Sequence, residues 1–230
     1  MREIVLDTET TGFDPLTGDR LVEIGCIELE NHIPTGRNFH RYINPEREMP
    51  DAAFRIHGLS TAFLADKPKF IEVVEEFIVF VAEDPLVIHN AEFDMKFINF
   101  ELEKAGRRAI PFQRAIDTVK MARTKFPGAP ASLDALCKRF NIDNSNRTLH
   151  GALLDAQLLA DVYLELLGGR QTGLVLAEET TVTIDLNFAK RGANGSSRPV
   201  REPRLFAPSE EERAAHKAFI AKLKDAIWLQ

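Results

Sequence analysis

The stretch Ile4-Val5-Leu6-Asp7-Thr8-Glu9-Thr10-Thr11-Gly12 joins a short apolar run directly to two acids. Its length, its apolar character and its stop at Thr-Thr-Gly predict a buried strand. Side chains alternate across a strand, so Asp7 and Glu9 share one face and Thr8 takes the other. Two carboxylates at a buried strand end repel each other and lose solvation. A cation between them relieves both penalties and uses their hard oxygens as ligands. Taken alone, the pair is also readable as a polar strand end entering a solvated loop, so the later acids have to decide.

Working outward, residues 21–30 (Leu21 to Glu30) and 38–43 (Asn38 to Ile43) alternate loosely, with Gly36 as the expected turn between them. With the opening strand they predict a three-stranded antiparallel meander. A short helical stretch follows Pro50 and ends near His57-Gly58. Phe70, Val73, Val74, Phe77, Ile78 and Val81 stand at helical spacing within residues 69–82. Leu86-Val87-Ile88 predicts a further strand, running into His89-Asn90-Ala91-Glu92-Phe93-Asp94 and a helix marked by Phe93, Phe97 and Phe100. Ala115 to Val119 predicts a fifth strand. Ser132 caps an expected helix over 133–140, and a last helix spans about 152–167, stopped by Gly168-Gly169. A meander followed by alternating helices and strands gives an α/β class: a mixed sheet flanked by helices.

The composition fits this plan. The 230 residues are 44% hydrophobic and 28% charged, which suits a soluble globular domain with an appendage. Only Cys26 and Cys137 are present, both in apolar surroundings. This excludes a disulfide framework or thiolate metal cluster and predicts two small core residues in a reducing, cytoplasmic setting. No apolar run is long enough for a bilayer, and Met1-Arg2-Glu3 leads into a strand rather than a signal peptide, so no membrane partner is expected. The net charge of −6 argues against holding nucleic acid by bulk electrostatics. It leaves room for an enzyme whose metal ions meet the phosphates.

Beyond Gly169 the composition changes. Residues 177–208 contain the linker-like run Lys190-Arg191-Gly192-Ala193-Asn194-Gly195-Ser196-Ser197-Arg198-Pro199 and read as largely flexible. Order is expected to return at 209, where Ser209 and Glu212 form a capping box for a helix to about Leu223.

Asp94 stands at the start of a helix just past a strand. Asp155 is more telling. At 100° per residue, Leu159, Val162 and Leu166 fall within about 40° of its direction, so it lies on the inward stripe of its helix, while Asp161 points away. An inward carboxylate needs a partner or a metal. His150 precedes it by five residues, beside Gly151, and a histidine near bound metal takes a proton from water at neutral pH. Four carboxylates and one histidine suit two divalent cations, Mg²⁺ or Mn²⁺, and in-line displacement at phosphorus, that is, phosphodiester hydrolysis.

The three segments Asp7 to Gly12, His89 to Asp94 and His150 to Asp155 stand in the order and spacing of the ribonuclease H-like 3′–5′ exonucleases that carry four acids and a histidine. The resemblance covers residues 1–169. Arg55-Ile56-His57-Gly58-Leu59, Ser132 to Cys137 and Asp143 to Gly151 are more similar to the family's bacterial proofreading branch than to its RNA-degrading members. The resemblance implies that Asp7, Glu9 and Asp155 hold one metal. Asp7 would bridge to the second, with Asp94 supporting it, and His150 would be the general base. It further implies that Thr10, His57, His89 and Asn90 contact the 3′-terminal nucleotide, and that a deoxynucleoside 5′-monophosphate is released.

The tail carries two further expectations. Gln171, Leu174 and Leu176, within residues 170–176, resemble a sliding-clamp docking peptide, with Leu176 where Phe is common. The C-terminal segment 209–230, with Trp228, would by resemblance dock on the polymerase (alpha) subunit of a replicative enzyme. Some such cores include a small third subunit, which the resemblance leaves open. The alternatives are a related 3′–5′ exoribonuclease, which lacks the linker and terminal helix, and a non-catalytic scaffold between polymerase and clamp. A haloacid dehalogenase-type phosphatase matches Asp7-x-Glu9-x-Thr11 only in part and leaves Asp94 and His150 unexplained.

Overall fold

The computed structural model describes residues 1–147, 149–169 and 208–222. The expected clamp peptide with Gln171, Leu174 and Leu176, the linker up to residue 207, and Trp228 lie outside the described residues. Two units divide the chain, Met1–Val175 and Leu176–Gln230.

The first unit is built on β1 (Arg2–Thr10), the strand that carries the opening acids. β1 pairs antiparallel with β2 (Leu21–Glu30), which pairs antiparallel with β3 (Ile33–Tyr42). On its other side β1 runs parallel to β4 (Leu86–Ile88), and β4 runs parallel to β5 (Ala115–Asp117). The sheet order is β3-β2-β1-β4-β5, so the expected meander and mixed α/β sheet are both present. At the β2–β3 hairpin two details differ from expectation. The β2–β3 connection is the two-residue turn Asn31-His32, both with positive φ (51° and 67°), which is the hairpin geometry that matches strand twist. Gly36 lies inside β3 instead, at φ 86°, where the β2–β3 register shifts between Ile27 and Leu29. Polar Asn-His is a weaker turn signal than glycine, and the exposed outer strand gives no apolar alternation to reveal its start.

Side-chain alternation on β1 divides the core. Ile4 and Leu6 face one layer, with α3 (Phe70–Val81) and α4 (Ala91–Lys104). Val5 faces the other, with α6 (Leu133–Phe140) and α7 (Ala152–Leu166). Phe70, Phe77 and Phe97 are fully buried in the first layer, and burial of each contributes about 1.5–3 kcal/mol. The short α1 (Asp51–His57) and α2 (Thr61–Leu64) follow β3. At the fifth strand the expectation runs too long: Asp117 accepts from the backbone N–H groups of Val119 and Lys120 and caps α5 (Thr118–Lys125). An N-capping acid overrides the β-branched character of Thr118 and Val119.

Ser209 Oγ accepts from Glu212 N at 3.2 Å and the Glu212 carboxylate accepts from Ser209 N at 2.8 Å, the expected capping box. The helix it opens, α8 (Glu210–Ile220), stops short of Leu223. Among the described residues no helix is long and apolar enough to cross a membrane.

Candidate active site

β1 and β4 are parallel neighbours, and their carboxyl ends open on one crevice, the place where α/β sheets gather ligands. Asp7 and Glu9 share the Val5 face of β1, toward α7. In register they lie opposite Gly25 and Glu23 of β2. Asp155, in the first turn of α7, is 3% exposed, as its inward position predicts, and Asp161 is exposed. Thr8 faces the other layer, and there its hydroxyl donates to Asp94 Oδ1 at 2.7 Å. Asp94 lies in the first turn of α4 and is also 3% exposed. The two helix N-termini thus deliver one acid each to the end of β1, where their dipoles favour negative charge.

Asp7, Glu9, Asp94, Asp155 and His150 all line one cavity of about 320 Å³, together with His89 and Arg147. Within it Glu9, His150 and Asp155 each offer a ligand atom, and these three atoms lie within 4.8 Å of one another. The carboxylate oxygens of Glu9 and Asp155 are the donors that suit a hard divalent cation, whereas an imidazole suits softer metals and leaves His150 beside the ion as a base.

The electrostatics agree with the fit. Burial pushes Asp7 well above the usual carboxylate range, and the charges of Asp94, Glu9 and Asp155 push it further. Glu9 is raised to about 8 by burial, then by Glu23 and Asp155. Asp94 is raised to about 7 by burial, with the Thr8 hydroxyl acting against the rise. Carboxylates crowded this way favour added positive charge.

A smaller cavity of about 180 Å³ adjoins the first and shares Thr8, Glu9 and Phe93 with it. Its other lining residues include Thr10, Gly12, Phe13, Ile56 and His57. His57 is buried. Its Nδ1 accepts from Leu59 N at 3.1 Å, and burial lowers its pKa. Thr10 donates its hydroxyl to the Gly12 carbonyl at 2.6 Å, which shapes the turn after β1. His89 Nδ1 is 2.9 Å from Thr118 Oγ1, and burial lowers its pKa too. Asn90 takes the left-handed conformation (φ 68°) at the start of α4. It is exposed and is not among the residues lining either cavity.

Several residues at the site are not marked by sequence spacing. Arg147 comes from a polar loop, yet its side chain is 8% exposed and bonds both oxygens of Asp155, at 2.6 and 2.7 Å. Glu23 lies behind Glu9 and contacts His40 Nε2 at 2.7 Å. Ser132 and Asp134 line the main cavity at the start of α6. The apolar spacing of Phe93 marks only a helix face, whereas it lines both cavities.

Residues 4–163 match the model of the RNase T exonuclease family, and the chain belongs to that family. It is 50% identical over 226 residues to the DNA polymerase III subunit epsilon of Rickettsia felis, covering 97% of each chain. It is 45% identical over 228 residues to the subunit of the same name from Escherichia coli K12, covering 94% of this chain and 91% of that one. Among solved structures it resembles exonuclease X in complex with 5′ overhanging duplex DNA, with 25% identity and a TM-score of 0.58 over 72% of this chain and 90% of that one. The nuclease domain of 3′hExo, a DEDDh family member bound to rAMP, shares the fold at 19% identity, with a TM-score of 0.62 over 72% of this chain and 91% of that one.

Proposed function

We propose that this chain is the proofreading subunit of a cytoplasmic DNA polymerase III, hydrolysing 3′-terminal, mispaired nucleotides from DNA and releasing deoxynucleoside 5′-monophosphates. The observation that carries the reading is the convergence of Asp7, Glu9, Asp94 and Asp155 with His150 on one cavity, in a chain alike over nearly its whole length to the epsilon subunits.

Asp7, Glu9 and Asp155 would hold one divalent cation, and Asp7 with Asp94 the second. Mg²⁺ or Mn²⁺ bound there supplies charge neutralisation and Lewis acidity at the phosphodiester. The protein's residues do the rest. His150 takes the proton of the attacking water. Thr8 fixes Asp94 by its 2.7 Å hydrogen bond, so that the carboxylate does not have to be ordered during the reaction. The smaller cavity, with Phe13, Ile56 and Phe93, offers apolar faces to the terminal base. Thr10 and His57 stand at its wall, and His89 and Asn90 at the start of α4 complete the proposed nucleotide contacts.

In this reading residues 1–169 form the exonuclease domain. Residues 170–176 dock on the sliding clamp through Gln171, Leu174 and Leu176. Residues 177–208 form the linker, and 209–230, with Trp228, bind the polymerase (alpha) subunit.

The test is degradation of a mispaired DNA primer beside an RNA oligomer of equal length, with Mn²⁺ and with EDTA. Loss of the primer 3′ end with metal, and not with EDTA, is expected. Preferential loss of the RNA would favour an exoribonuclease instead. Asp7→Ala and Asp155→Ala are each expected to abolish release while the fold persists, and a near-normal rate in either would overturn the two-metal assignment.

A further inference from the structure

Among the described residues, Arg147 alone engages the buried acid, the histidine and the cavity rim together. Its Nε and Nη2 bond the two oxygens of Asp155 at 2.6 and 2.7 Å. Nη2 also lies 2.9 Å from His150 Nδ1, and Nη1 donates to Asp134 Oδ1 at 2.8 Å. Asp155 is buried, whereas the Asp134 side chain is 60% exposed.

Two chemical conflicts follow. A guanidinium has no lone pair to offer a cation, so while it holds both Asp155 oxygens in a fork it competes with any metal for the same acceptors. A neutral imidazole has one free lone pair. If Arg147 donates to Nδ1, that lone pair is used and the ring proton resides on Nε2, so neither nitrogen is free to take a proton. One side chain therefore occupies a proposed metal ligand and the proposed base at once.

We propose that Arg147 is a displaceable internal counter-ion: it neutralises Asp155 and engages His150 in the resting enzyme, and metal entry shifts it onto Asp134. This rests on the reading that the acids bind divalent cations. Asp134 makes the shift feasible, because Arg147 already bonds it and keeps a charged partner there after Asp155 is given up. The pairing also explains how a crowded acid cluster is kept folded before metal arrives.

The experiment is calorimetric titration of the full chain with Mn²⁺ alone, without DNA, for the wild type, Arg147→Gln, Arg147→Lys, Asp134→Asn and the double variant Arg147→Gln/Asp134→Asn. Arg147→Gln is expected to bind Mn²⁺ roughly tenfold tighter, the scale of one charge-assisted hydrogen bond. Arg147→Lys retains the charge without the fork and is expected to fall between the two. Asp134→Asn is expected to bind more weakly than wild type, and to have no effect in the Arg147→Gln background. Melting in EDTA checks the other side of the exchange: Arg147→Gln is expected to melt lower than wild type in EDTA and to gain more from Mn²⁺.

Equal affinities for wild type and Arg147→Gln would overturn the proposal. So would wild-type affinity in Arg147→Lys, which would reduce Arg147 to a distant charge, or an equal Asp134→Asn effect in both backgrounds. A wild-type chain that binds no Mn²⁺ would overturn the metal-site reading itself, a result distinct from the others.

Discussion

Gly25 lies against the backbone of Ala152. A β-carbon placed on Gly25 would come within 2.3 Å of the Ala152 carbonyl carbon, a separation that no packed pair of carbons adopts. Gly25 is also the residue opposite Asp7 in the β1–β2 register. The missing side chain thus lets the N-terminus of α7 rest on the sheet beside Asp7, three residues ahead of Asp155. Gly25→Ala is expected to push that helix end away. Overpacking of this kind costs about 1–3 kcal/mol, and exonuclease activity is expected to fall further than stability does. Denaturant melts and primer degradation on the same preparation measure the two.

Thr8 and Asp94 give a second prediction. Thr8→Val retains the shape and removes the hydroxyl that donates to Asp94. A hydrogen bond to a charged group contributes roughly 1.5–3 kcal/mol, so stability is expected to drop by that order where Asp94 is ionised. Denaturation at pH 8 and at pH 5 separates the cases, with the smaller loss at the lower pH.

Arg20 and Glu101 form a two-point ion pair, Nε to Oε1 at 2.6 Å and Nη2 to Oε2 at 3.0 Å, joining the start of β2 to α4. The Glu101 side chain is 2% exposed. Glu101→Ala leaves the guanidinium with Glu46 at 3.8 Å and the Pro45 carbonyl at 3.2 Å, and loss of the two-point contact costs about 1.5–3 kcal/mol. Replacing both partners by Met and Leu is expected to recover much of that loss in urea titrations. A double variant no better than the single one would show that the pair itself, rather than the cost of leaving Arg20 with weaker partners, supplies the stability.

The raised carboxyl groups fix the sign of a pH effect. Glu9 lies at about 8 rather than 4.5, and Asp94 at about 7 rather than 3.8. Between the ordinary and the raised values the folded chain holds protons that the unfolded chain has released. In EDTA the contribution of these two groups therefore falls as pH rises from about 4 to about 8. Added Mg²⁺ is expected to offset the fall, with a larger gain in melting temperature at pH 8 than at pH 5. Glu9→Gln is expected to lessen the downward slope in EDTA, and an unchanged slope would remove Glu9 from this role.

Deleting residues 170–230 is expected to leave an active nuclease that no longer co-purifies with the polymerase subunit. A truncated chain that still co-purified would move the docking surface into the first domain.

Much of the frame is legible from local pattern. β2 and α6 begin and end where alternation and the Ser132 cap place them, and α3 falls within one residue of its apolar spacing. The failures have local causes as well. Asn31-His32 makes a tight turn without a glycine, and Asp117 begins a helix where β-branched residues suggest more strand. Asp155 is legible because helical periodicity fixes its direction. Arg147 is not, because no period governs a loop.

What the sequence determined by itself is the order of elements, the acids they carry and the side of α7 on which Asp155 lies. These depend on capping, alternation and the 3.6-residue turn, all of which act over a few residues. What only the tertiary structure decided is how those residues meet: Gly25 against Ala152, Thr8 on Asp94, and Arg147 joining Asp155 to His150 and Asp134. The first two link positions 127 and 86 residues apart in the chain (152 minus 25, 94 minus 8). The third depends on how a loop folds back over the buried end of a helix. Such contacts are set by packing of the whole sheet and its helices, which no short stretch encodes.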